Sequence, residues 1–369
     1  MKLKKMSLFM IVLSIMLLVS ACASGNQDSN TGAANNSGAS SNNSGSANNT
    51  GTASNNNGDG SDEKTYRIGI SQYLEHPSLD ATREGFLAAL KDAGIEEGVN
   101  LEVDYNTAQA DSTNNNSIAT KLAGGDYDLL LAIATPSAMA LASQIADDTP
   151  MLFAAVTDPL DARLVDDLQK PGGNITGAAD FNPESINMLM DFIAKHLPHV
   201  KNIGLIINTG EPNAVVMADH AEAKLKEHGI NLLRAAVTNT SEVPQAAQSL
   251  VGEVDAFYIT LDNSVVAAIN SIIQVAEAEG IPLFAADRDT VEGGAVAAVG
   301  FRYYDHGYQA GQMAVEILKN GKNPGELPVL LPDKLDLIIN VPAAERQGLK
   351  VTDEMIAEIQ DQENNLITE

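Results

Sequence analysis

The sequence predicts an α/β protein of two similar lobes, each with a parallel sheet flanked by helices. Three observations lead there. From Tyr66 onward, short apolar runs alternate with amphipathic segments, the order that builds a parallel sheet under helices. The runs are continuously apolar rather than alternating, as in strands buried on both faces. The series also occurs twice. "RIGISQ" matches "NIGLIIN" at an offset of 135 (Ile68 to Ile203), "DLLLAIATPSAMA" matches "AFYITLDNSVVAA" at 127 (Thr135 to Asp262), and "MLFAAVTDP" matches "PLFAADRDT" at 131 (Phe153 to Phe284). Near-constant offsets in one order imply a duplicated lobe.

Residues 1–21 carry Lys2, Lys4 and Lys5 and then an apolar run from Leu8 to Val19. This is the pattern of a signal peptide, and the run falls short of the ~20 apolar residues of a membrane-spanning helix. Val19-Ser20-Ala21 lead into Cys22, the one cysteine of 369 residues. Small residues before a lone cysteine resemble a bacterial lipobox, so Cys22 is expected to carry acyl chains such as palmitate; two or more chains anchor firmly where one does not. Ser24 to Glu63 contain no Val, Ile, Leu, Met, Phe or Tyr. Residues 22–64 therefore read as a tether, because they cannot bury enough apolar surface to offset chain entropy.

The folded body follows. Strands are expected at 66–71, 101–106, 128–134, 150–156 and 174–179, then at 202–208, 231–237, 256–261, 282–286 and 295–301. "LDATREGFLAALKDAG" sets Phe86, Leu87 and Leu90 on one helical face and ends in Gly94, and "NAVVMADHAEAKLKEHG" ends in Gly229; a glycine there suits a helix C-cap. About 300 residues suggest two cores rather than one. The formal charge of -27 becomes -30 once the three leader lysines are removed, which disfavours nucleic acid and anionic lipid as partners.

In open parallel sheets, ligands bind beyond the carboxyl ends of the strands. There the chain places "SQYLEHP" (71–77), "ATPSA" (134–138), "TDP" (157–159), "NTGEPN" (208–213), "LDNS" (261–264) and "ADRD" (286–289). These segments supply the candidate binding residues Gln72, Tyr73, Thr135, Pro136, Ser137, Thr157, Asp158, Glu211, Asp262, Asn263 and Asp287. Thr135 is expected to N-cap a helix with Pro136 at its first position, offering free N–H groups to a carboxylate. Asp158 and Asp287, in related turns, are expected to receive an ammonium, and Tyr73 and Phe181 to wall the ligand. The six histidines are scattered, with His196 and His199 a surface pair. No GxxxxGK[ST], CxxC or G-x-S-x-G occurs, so neither an enzyme nor a cofactor or metal is expected.

"GISQYLEHPSLDATREGF", "AIATPSAMA", "AVTDPLDARLV", "INTGEPNAV", "QAAQSLVGEVDAFYITLDNSV" and "GFRYYDHGYQAGQMA" resemble the substrate-binding lipoproteins of ABC importers, in the type I periplasmic-binding-protein group that includes tryptophan/tyrosine-binding proteins. The resemblance covers residues 66–350. It implies a three-strand hinge crossing near 180, 302 and 327, with lobes of 66–180 plus 302–326 and 181–301 plus 327–369. It carries binding roles onto Gln72, Tyr73, Thr135, Ser137, Asp158, Asp180, Asn263 and Asp287. Two positions depart from its pattern: Ala286, where serine is common, and Pro212, where a small residue is usual. The implied protein is a monomer tethered outside the membrane of a Gram-positive bacterium, delivering a small ligand, an aromatic or branched amino acid, to a permease and its ATPases. A nucleoside or sugar receptor and a ligand sensor for a membrane kinase are the alternatives.

Overall fold

The apolar runs form strands in a computed structural model that describes residues 64–332 and 335–369. Cys22, the leader and the tether up to Glu63 lie outside the described residues. The first sheet contains β1 (Tyr66–Gln72), β2 (Leu101–Thr107), β3 (Leu129–Ile133), β4 (Met151–Val156) and β5 (Ile175–Ala179), in the order β2-β1-β3-β4-β5, all parallel. The second contains β6 (Asn202–Asn208), β7 (Asn231–Val237), β8 (Ala256–Ile259), β9 (Leu283–Ala285), β10 (Ala297–Gly300), β11 (Asp336–Asn340) and β12 (Leu366–Ile367), in the order β12-β11-β10-β9-β8-β6-β7. Read from β7 to β10 this repeats the first sheet's order, so the duplication in the sequence is one of topology.

Two strands depart from the expectation. β11 pairs antiparallel with β10, Ala297 opposite Ile339 and Gly300 opposite Asp336, and β12 extends that edge. The chain returns from the first lobe without a crossover helix and so enters this sheet from the opposite end, where only antiparallel pairing is open to it. Both helix-ending glycines adopt the left-handed conformation, φ +80 at Gly94 and +69 at Gly229, which costs glycine nothing.

The chain passes between the sheets after β5 at Asp180, after β10 at Phe301, and again beyond Leu330. Among the described residues the third passage is not a regular strand. It makes one bridge, Ala178 to Leu330, with Leu330 N–H donating to Gly177 O (3.0 Å) and Ala179 N–H to Leu330 O (2.8 Å).

The helix Tyr303–Leu318 starts at the second passage and packs along the helix Pro77–Asp92. Glycines set their spacing. A Cβ on Gly307 would lie 1.9 Å from Thr82 O, one on Gly85 2.0 Å from Tyr304 O, and one on Gly311 2.5 Å from Phe86 O. Backbone meets backbone at each point, so a methyl group has no side chain to displace. Gly307→Ala should cost about 1–3 kcal/mol, the usual range for overpacking. Gly124→Ala, whose new Cβ would meet nothing closer than 3.5 Å, should change stability little. Urea unfolding of the two variants checks this; equal stabilities would mean that the helices slide apart freely.

Candidate functional site

The carboxyl ends of the two sheets meet over a narrow cavity. His76, Ser78, Leu79, Ala155 and Thr157 line it from the first lobe. Asn213, Leu261, Asn263, Val266 and Asp287 line it from the second, and Asp180 and Tyr303 stand at two of the passages. The lobes touch across it: His76 Nε2 lies 3.3 Å from Asn263 Oδ1.

Glu211 organises the second-lobe wall. Its carboxylate accepts from Asn263 N–H (3.0 Å) and Nδ2 (2.6 Å), and from Ser264 N–H (2.9 Å) and Oγ (2.7 Å). Asp262 caps the same short helix through Val265 N–H (3.2 Å) and accepts from Asn208 N–H (2.6 Å). Burial, and then the neighbouring Glu211, push the Asp262 carboxyl well above its usual range. Because Asn263 Nδ2 donates to Glu211, its Oδ1 accepts from His76. His76 Nε2 therefore carries the proton and Nδ1 is left as an acceptor, and burial lowers the ring's pKa in favour of this neutral form.

Acceptors gather in the cavity. His76 Nδ1, Asp180 Oδ1 and Asn213 Oδ1 are buried without a partner among the described residues. The other Asp180 oxygen accepts from Tyr303 Oη (2.9 Å). Burial pushes Asp180 up to about 6, against the pull of that phenol and of the Thr157 hydroxyl. Asp289, which accepts from Tyr303 N–H at 3.3 Å, is pushed up to about 6 by burial and by Asp287. Asp287 is raised by burial, with Asp180 adding to it. Arg288 sits between the last two in sequence, but its guanidinium goes to Glu292 Oε1, Asn365 Oδ1 and Asn364 O, each at 2.6 Å. The acids thus face one another rather than a cation.

Donors come from the helix Pro77–Asp92. His76 holds its N-cap position with extended backbone and no side-chain cap. Pro77 has no N–H, and those of Ser78 and Leu79 precede the first intrahelical bond, Asp80 N–H to His76 O at 3.0 Å. Two free amides at a positive helix end make an anion seat.

A carboxylate seat was expected at Thr135 as an N-cap, and the structure moves that cap by one residue. Ala134, at φ +78, occupies the cap position, with Thr135 and Pro136 inside the helix. Thr135 Oγ1 accepts from Thr157 N–H (3.3 Å). Ser137 Oγ donates to Asn115 Oδ1 (3.1 Å), and Asn115 Nδ2 to Pro136 O (2.9 Å). Thr135, Pro136 and Ser137 do not line this cavity, although the Thr135 and Ser137 amides likewise precede the first internal bond of their helix, Ala138 N–H to Ala134 O at 3.0 Å. Asp158 lies off the cavity, its Oδ1 accepting from Leu160 and Asp161 N–H, each at 3.0 Å, as a turn carboxylate does. Gln72 is buried behind the seat, donating to Leu74 O and Asp80 Oδ1 (2.9 Å each) and accepting from Arg83 (2.8 Å). Tyr73 is buried, its hydroxyl 3.4 Å from Ala110 O. Its pKa is pushed up to about 12 by burial and by the charges of Glu211 and Asp262, which puts it near the second-lobe acids. Asp287 lines the cavity while capping its own helix, accepting from Thr290 N–H (2.8 Å) and Oγ1 (2.7 Å). Phe181 packs at the first passage, edge-on to His220 with ring centres 6.1 Å apart.

Sequence reasoning missed His76, Ser78, Leu79, Ala155, Asn213, Asp289 and Tyr303. The His76-Pro77-Ser78 run was the legible signal, since a proline at a helix's first position marks its N-terminus.

Residues 67–362 match the family described as ABC transporter substrate binding protein. The chain belongs to that family. It is therefore the substrate-binding component of an ABC transporter, with a small-molecule ligand and permease and ATPase partners, and not an enzyme. It is 40% identical over 278 residues, 75% of this chain and 79% of the relative, to a tyrosine-binding protein of Clostridioides difficile strain R20291. A Streptococcus pneumoniae ABC domain solved with L-Trp superposes with a TM-score of 0.76 at 28% identity, covering 83% of this chain and all of that one. A ligand-free, open substrate-binding protein of Clostridium difficile reaches only 0.60 at 37% identity, covering 82% of this chain and 98% of that one. The open protein is the more identical of the two and superposes less well. The lobes of this substrate-binding protein stand closed, as the His76–Asn263 contact requires.

A carboxyl whose pKa is higher in the fold than in the unfolded chain favours the fold at low pH and withdraws that support as pH rises. For Asp180 the window runs from about 4 to about 6. Asp180→Asn removes this slope. Relative to wild type, the variant should gain on the order of 1–3 kcal/mol between pH 4 and pH 7. Denaturant unfolding at several pH values checks it, and parallel curves for the two proteins would refute the buried-acid assignment.

Proposed function

We propose that this substrate-binding protein captures an aromatic L-amino acid as its zwitterion between the lobes 66–180 with 302–326 and 181–301 with 327–369. The observation that carries the reading is the division of the cavity. Three unpartnered acceptors beside buried acids suit the three N–H groups of an ammonium, and the amides of Ser78 and Leu79 suit a carboxylate. The relatives named for tyrosine and solved with L-Trp support an aromatic side chain. Asp180, with one free oxygen, is the direct ammonium partner, whereas Asp287 acts through its charge because Thr290 holds both of its oxygens. Since the lobes touch, the ligand enters an open form and the hinge passages absorb closure.

Calorimetry with L-tyrosine, L-tryptophan and L-phenylalanine, against nucleosides and sugars, tests this. Aromatic amino acids should bind. Asp180→Asn should weaken them about tenfold to a hundredfold, the worth of a charge-assisted hydrogen bond, and should weaken a deaminated analogue far less. Binding confined to sugars or nucleosides, or an unchanged affinity in the variant, would end the zwitterion reading.

We further propose that the body works as a monomer outside a Gram-positive cell membrane, held by lipid on Cys22 through the tether 22–64. The lone thiol after small residues supports this. Cys22→Ser should abolish palmitate labelling and leave the protein released or unprocessed, with ligand binding intact; a variant that still labels and sediments with membranes would overturn the anchor.

A further inference from the structure

His306 reaches the cavity wall from behind. It is buried in the first turn of the helix Tyr303–Leu318, three residues after the Tyr303 that binds Asp180. At this point the pairing of β4 with β5 slips by one residue: Phe153 lies opposite Gly177, but Val156 lies opposite Ala179. Within the slip Ala155 takes φ +55, a left-handed conformation that a residue with a Cβ adopts under strain. A slipped residue also loses its partner in the ladder. His306 replaces it. Ala155 N–H donates to His306 Nε2 at 3.1 Å, and the backbone of Ala178, on the neighbouring strand, lies close enough to the ring to favour its protonated form. One imidazole thus sits against both strands at the irregularity and is bonded to Ala155. Ala155 itself lines the cavity, as does Thr157 two residues on. Strain kept at a binding surface by a dedicated buried group suggests that the conformation serves the site.

We propose that His306 is a positioning residue for ligand capture, holding Ala155 in its left-handed conformation and so fixing where the Ala155–Thr157 wall stands against the bound molecule. It touches no ligand; it acts through the wall. Leucine at 306 fills similar space with no acceptor. Glutamine keeps an acceptor for Ala155 N–H and a donor for the other strand. Glycine at 155 adopts positive φ without strain, so it lessens the need for the imidazole.

The inference rests on the amino-acid reading of the cavity, and L-tyrosine and L-tryptophan are the probes. Calorimetry on wild type, H306L, H306Q, A155G and H306L/A155G should find at least a tenfold loss of affinity in H306L. H306Q should stay within about threefold of wild type, and the double variant should lie closer to wild type than H306L does. A folded H306L with wild-type affinity overturns the proposal, as does H306Q losing as much as H306L. If H306L yields no folded protein, H306Q decides: within threefold supports the role, and a tenfold loss overturns it. A wild type that binds neither probe overturns the reading of the ligand instead. The role of His306 is then judged by unfolding, where non-additive effects of H306Q and A155G support the link and additive ones overturn it.

Discussion

The site depends on two helices lying backbone against backbone. Pro77–Asp92 brings its free amides to the cavity, and Tyr303–Leu318 begins at a passage between the lobes and carries Tyr303 and His306. Gly85, Gly307 and Gly311 let them approach until carbonyls sit where a Cβ would otherwise be. Such a seam has little room to adjust, because neither backbone can rotate out of the way as a side chain can. The Ser78 and Leu79 amides, the Tyr303 phenol on Asp180 and the Ala155 wall are therefore held by one rigid pair.

Around that pair both lobes contribute polar groups, the unpartnered acceptors coming from His76 and Asp180 on one side and Asn213 on the other. The first lobe offers amides at a positive helix end. The second offers a carboxylate network, with Glu211 and Asp262 anchoring the segment that meets His76. The acids at the passages complete the polar pattern where the chain changes lobes. The proposed zwitterion meets groups of both lobes only when they come together, which would tie recognition to motion.

Much of the fold was legible because strand runs buried on both faces are continuous and unmistakable; the ten expected strands lie within two residues of their observed ends at every boundary. β11 was not legible. "DLIIN" reads as a short apolar run, and its antiparallel pairing follows from the route of the chain back between lobes, which no local pattern encodes. The site was half legible. Acids at strand ends announce themselves, but which of them faces the cavity depends on the partner each finds. Asp158 satisfies its carboxylate in its own turn, whereas Asp180 keeps an oxygen free. Thr135 has the residue type of a cap, yet its hydroxyl goes to Thr157, a contact 22 positions away that only the folded sheet creates. His306 is farther still from sequence reasoning, because its task arises from a one-residue slip between two other strands.

The clustered carboxylates have a consequence for the transport cycle. Shutting the lobes over Asp180, Asp287 and Asp289 with no positive charge among them favours proton uptake, since burial raises all three. Shutting them over an ammonium relieves the same repulsion without a proton. Near neutral pH, closure is thus disfavoured for a receptor carrying nothing and favoured for one carrying cargo. In the proposed zwitterion reading, these acids also make the closed shape a dependable sign of loading, so a permease that responds to that shape alone rarely commits its ATPases to an empty delivery.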